Sequence, residues 1–120
     1  MIEWNDLIDE AQRGGSPLEL MLHLYKAGWK VVGGYSFDMK LEAKNGWTYT
    51  FQGHHFVSPA HLNIYVPNPP DADVPRLMVE MEIYHTMRLK DFKVFKAKAE
   101  AKVREKIAAG DWYTYKMTDC

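Results

Sequence analysis

The segment from Phe51 to Pro70, FQGHHFVSPAHLNIYVPNPP, concentrates side chains that could do chemistry, with His54, His55 and His61 inside eight positions. Imidazoles this close raise the question of a metal. A structural zinc needs about four side-chain ligands, and a catalytic zinc needs three with a water in the open position. Neighbouring side chains of a strand point to opposite faces. At most one of His54 and His55 therefore joins His61, unless the strand ends or bulges at Gly53. His55 and His61 meet if Phe56 to Ala60 turns around Pro59, and a third ligand is then available from Glu80, Glu82, Asp71 or Asp73. A metal-assisted hydrolase is the chemistry such a group would serve. The spacing does not demand it. The plainer expectation is polar residues at a strand end and turn, with no cofactor.

Two other histidines carry less. His85 falls in an apolar series between Ile83 and Met87 and is expected to be at least partly buried with one nitrogen hydrogen-bonded. Its sharper reading is an acid/base group facing a cleft. His23, on the polar side of a helix beside Glu19 and Lys26, is expected to be exposed. Glu82 and His85 have the i, i+3 spacing of di-iron bundles, but that motif needs a helix and this stretch alternates as a strand. Glu42 and Lys44 give a Glu-x-Lys fragment of nuclease type without the rest of its frame. Phosphate-cradling glycine loops, nucleophile elbows, Cys–His pairings and zinc-protease helices are all missing from the sequence.

The elements that position these side chains are legible from periodicity. Trp4, Leu7, Ile8 and Ala11 suggest a short first helix before Gly14 and Gly15. Ser16, Pro17 and Glu19 open a second helix, which Gly28 closes. Trp29, Val31, Tyr35, Phe37, Met39, Leu41 and Ala43 all fall at odd positions, giving one long strand or two with a bend at Gly33 and Gly34. A three-residue hairpin loop, Lys44-Asn45-Gly46, then pairs Ala43 with Trp47, Leu41 with Tyr49 and Met39 with Phe51, which keeps one common apolar face. A strand over 61–66 precedes the proline-rich segment VPNPPDADVP, expected as an extended surface loop. In RLMVEMEIYHTMRL, alternation of Leu77, Val79, Met81, Ile83, Met87 and Leu89 with Arg76, Glu80, Glu82, Thr86 and Arg88 predicts a further strand. Asp91 opens a long helix with Phe92, Phe95, Ala99, Val103 and Ile107 on one face, closed by Gly110, and DWYTYKM supplies a last strand. The expected fold class is α+β: one domain over 1–120, an antiparallel sheet of about five strands, N-terminal helices, and one long C-terminal helix packed on the sheet.

Composition bounds the function. At 120 residues, 47% hydrophobic and 26% charged, the chain suits one globular domain, and a net charge of -1 gives no global pull toward nucleic acid or membrane. Charge is uneven, however. Residues 90–106 hold seven bases against three acids. Lys93, Lys98, Lys102 and Arg104 are the candidates for a phosphate-contacting ridge, against the simpler reading of a solvated face. The single cysteine, Cys120, allows no internal disulfide, and the start reads as acidic rather than as a secretory signal, so a cytoplasmic location is expected.

The order helix, three antiparallel strands, helix is similar to that of double-stranded-RNA-binding domains. KAGW at a helix end and GHHF on a strand resemble fragments of the HicA-type RNA-cleaving toxins, in which a histidine near such a position is catalytic. The resemblance covers those eight residues. Trp29 and Gly53 lie twenty-four positions apart, and an extra strand precedes the last helix, so no catalytic role passes to His54 or His55.

The chain has four Trp, seven Tyr and five Phe, more than one core of this size needs. Tyr65, Trp112, Tyr113 and Tyr115, with Asn68 in the stiff proline loop, are the expected partner-binding residues. The leading expectation is a small non-enzymatic interaction module that docks on a larger protein or complex, of the accessory or inhibitor type encoded by phages and mobile elements. RNA or DNA binding through the basic helix is the second expectation, and a hydrolase using His55 and His61 the third.

Overall fold

A computed structural model describes residues 23–32, 37–53, 60–83 and 89–118. The first helix, the capping box at Ser16, the bend at Gly33 and Gly34, and His54, His55, His85 and Cys120 lie outside the described residues. The elements are the end of a helix, α1 (23–26), then β1 (Lys30–Val31), β2 (Phe37–Glu42), β3 (Thr48–Gly53), β4 (Ala60–Val66), β5 (Arg76–Ile83), the long helix α2 (Leu89–Ala108) and β6 (Tyr115–Thr118).

The hairpin between β2 and β3 has the register its apolar pattern requires. Leu41 pairs with Tyr49 and Met39 with Phe51, while Ala43 and Trp47 close the loop through the Ala43 N–H donating to the Trp47 carbonyl at 2.9 Å. Gly46 makes this possible. Its φ of 87° is open to glycine and costly for any residue with a Cβ, and Asn45 Oδ1 accepts from the Trp47 N–H.

The sheet corrects the expectation of about five antiparallel strands. It has six, in the order β1-β2-β3-β4-β5-β6, antiparallel up to β5 and parallel between β5 and β6, so it is mixed. The reason is the twenty-residue α2, which at 1.5 Å per residue spans about 30 Å and returns the chain to the end of the sheet where β5 began. The next strand must then run alongside β5 in the same direction.

One face of the sheet forms the core. Met39, Tyr49, Phe51, Leu62, Ile64, Val79, Met81 and Ile83 are buried there together with Leu24 and Trp29, beneath Phe92, Ala99 and Val103 of α2. Phe92 meets Trp29 and Phe51 edge-on, at centroid distances of 5.9 and 5.7 Å. A bulge at Ile64/Tyr65 keeps this face in register. Ile64 pairs with Val79 but Tyr65 pairs with Leu77, so Met78 is the extra residue, and it too is buried.

Two polar contacts tie α2 down. The Tyr49 hydroxyl donates to Glu100 Oε2 at 2.6 Å. Burial, reinforced by that hydrogen bond and by the Glu100 charge, pushes the phenol well above its ordinary value. At its C-terminus α2 is closed at Gly110, whose N–H donates to the Ile107 carbonyl while the Asp111 N–H donates to that of Lys106. This turn carries Asp111 to Lys106, which is only 6% exposed although basic, and the ion pair spans 2.8 Å.

The hydrogen bond from Lys106, with a second from the Tyr113 N–H, holds the Asp111 carboxyl below the usual carboxylate range. A carboxylate depressed in the folded state adds stability above its unfolded value, and that stability is lost as pH falls through the lowered value. Asp111→Asn is therefore expected to weaken the protein at neutral pH and to converge on the parent in strong acid. Urea unfolding at about pH 7 and about pH 2 compares the two. A gap that persists in acid would mean that the Asp111 charge is not the cause.

Candidate functional site

The opposite face of the sheet carries polar side chains, and no described element lies over it. Register fixes its rows. Gln52, His61, Glu82 and Thr118 follow one another across β3 to β6, and Lys40, Thr50, Asn63, Glu80 and Lys116 form the adjacent row from β2.

Within these rows the structure assembles one cluster that the sequence had named in part. His61 stands directly opposite Glu82, and Glu80 is two residues along β5. One possible ligand atom from each of the three lies within 4.8 Å of the others, and all three side chains are half-buried. Among the four acids considered as a third ligand, Glu80 and Glu82 are placed for it. Asp71 instead pairs with Arg76 at 2.8 Å, pinning the proline-rich loop. His55, the other proposed ligand, lies outside the described residues.

Asn63 was not singled out from the sequence. Paired with Glu80, it has a side-chain oxygen that is buried and has no hydrogen-bond partner among the described residues. The signal was a polar residue alternating with the buried Leu62 and Ile64, which places it on the same face as His61.

The partner-binding candidates divide. Tyr65 lines a recess of about 320 Å³ with Lys40, Thr48, Thr50 and Pro75 on the same polar face. Asn68 is exposed in the proline loop with a φ of 58°, while Pro69 beside it is buried, so the loop is seated on the body rather than free along its length. Tyr113 is 84% exposed. Trp112, in contrast, packs against the core and is half-buried. Tyr115 is exposed but lies under the Lys102 ammonium, 4.5 Å from its ring centroid.

These residues gather at one end of the sheet. Thr114 Oγ1 donates to the carbonyl of Leu77, the residue opposite Tyr65, and the hairpin turn at Gly46 approaches Pro67. Tyr65, the proline loop and the 111–114 connection thus share one rim.

The basic helix is less free than its composition suggested. Lys96 pairs with Glu100, Lys102 with Glu105 and Lys106 with Asp111. Of the four ridge candidates, Lys93, Lys98 and Arg104 are exposed and Lys102 is half-buried in its contacts with Glu105 and Tyr115. Among the described residues, no helix is long and apolar enough to cross a membrane. No family of known proteins, no curated protein and no solved structure matches this chain.

Proposed function

We propose that the protein is a non-enzymatic interaction module that docks on a larger protein through the rim that carries Tyr65, Asn68 and Tyr113. The observation that carries this reading is Tyr113, a large aromatic side chain 84% exposed on a connection anchored to the sheet through Thr114. Aromatic side chains held on a fixed backbone lose little entropy on binding and are the commonest anchors of interfaces. The nearby recess under Tyr65 and the exposed Val74 supply further contact area on the same rim.

Native mass spectrometry of the chain purified gently from its own host tests the proposal. The expected result is an assembly heavier by one protein chain, which Tyr113→Ala and Tyr65→Ala each weaken at least tenfold. Capture of RNA instead, lost as salt rises and on Lys98→Glu with Arg104→Glu, would replace this reading with nucleic-acid binding. A bare chain, or an assembly indifferent to both tyrosine variants, would overturn it.

A further inference from the structure

We propose that His61, Glu80 and Glu82 form a binding site for a divalent transition-metal cation, with zinc the best match, on the face of the sheet that no described element covers. The site is independent of the proposed docking rim, since His61 and Glu82 lie toward the end of β4 and β5 opposite to Tyr65 and Leu77.

Four features of the molecule lead there. First, the ligands come from two adjacent, hydrogen-bonded strands, so their backbone positions are fixed by the ladder and not by a loop. The register that brings His61 opposite Glu82 follows the bulge at Met78. Continued without that extra residue, the pairing that starts at Tyr65 and Leu77 would oppose His61 with Met81, whose side chain is in the core.

Second, the separations are close to those of a bound state. Zinc–nitrogen and zinc–oxygen bonds of about 2.0–2.2 Å put ligand atoms roughly 3.3 Å apart around a tetrahedral ion. Atoms already within 4.8 Å reach that spacing by small rotations of the two glutamate side chains.

Third, the donor set has a chemical preference. One imidazole and two carboxylates suit zinc or manganese, whereas calcium and magnesium take oxygen ligands alone. Three protein ligands leave the ion an open position for water.

Fourth, the buried Asn63 oxygen beside Glu80 has no hydrogen-bond partner among the described residues. Buried acceptors are normally satisfied, and what this one lacks is an electropositive partner. A cation on the neighbouring residues, or a water held by it, supplies one. Lys116 stands opposite Glu80 on β6 and is a competing cation on this face.

The experiment uses the full chain stripped with a chelator and titrated with zinc chloride, followed by calorimetry and by thermal unfolding. The expected result is one zinc per chain at micromolar affinity or tighter, a melting temperature that rises with zinc, and no comparable response to magnesium. His61→Ala and the isosteric Glu80→Gln are each expected to weaken binding about tenfold or more while leaving the metal-free melting temperature unchanged. Lys116→Ala is expected to leave binding intact or tighten it. Absence of heat and of any thermal shift up to about 1 mM zinc would overturn the proposal. So would binding that survives both His61→Ala and Glu80→Gln, which would move the metal to other histidines.

Discussion

Phe92→Ala is expected to lower the unfolding free energy by about 3–5 kcal/mol, the range for deleting a fully buried aromatic ring. Phe92 is the point where α2, the Trp29 corner and β3 meet, through edge-on contacts with Trp29 and Phe51. Each such contact is worth about 0.5–1.5 kcal/mol beyond the area buried. Neither ring can follow the truncated side chain, because each is itself buried among other core residues. For a chain of this size the loss corresponds to a fall in melting temperature of about 10–20 °C. Denaturant unfolding followed by tryptophan fluorescence measures it, and a loss under about 1 kcal/mol would show that the ring is not at the centre of the core.

The second large effect concerns the phase of α2. Val103→Asp is expected to abolish the folded state or remove at least about 4 kcal/mol, since an unpaired carboxylate in an apolar interior costs several kcal/mol. Val103 has no exposed surface. Arg104→Asp, one residue on, is expected to change stability by less than about 1 kcal/mol, because that side chain is exposed. Circular dichroism and urea titration of the pair decide the matter. Equal effects at the two positions would mean that α2 is rotated or not packed on the sheet.

Much of the fold could be read from residue order because local and long-range preferences agree. The odd-position apolar series requires the hairpin register that the loop ending at Gly46 provides, and Gly28 and Gly110 close helices by the same hydrogen-bond pattern. The direction of the last strand was hidden. Four residues, Tyr115 to Thr118, alternate identically whichever way the strand runs, and only the length of α2 decides it.

Lys106 was hidden too, because its charge placed it among the flanks of the helix. Its position on the buried side follows from Asp111, which the Gly110 turn brings within 2.8 Å. The histidine cluster was half legible. Alternation put His61, Glu80 and Glu82 on polar positions, but which acid faces His61 depends on a one-residue bulge that no pattern in the proline-flanked strands announces. The buried Asn63 oxygen depends on the same register and was hidden for the same reason.

The described strands grow shorter toward both margins of the sheet. The outermost are β1 with two residues and β6 with four, while the four between them have six to eight. A sheet invites stacking by a foreign chain along whatever length of unpaired backbone its margin presents. Among the described residues β1 covers two of the six residues of β2, and β6 covers four of the eight of β5. The template that a foreign strand could copy is thus interrupted at both margins, and the polar face and its rim offer side chains by which other molecules can be distinguished.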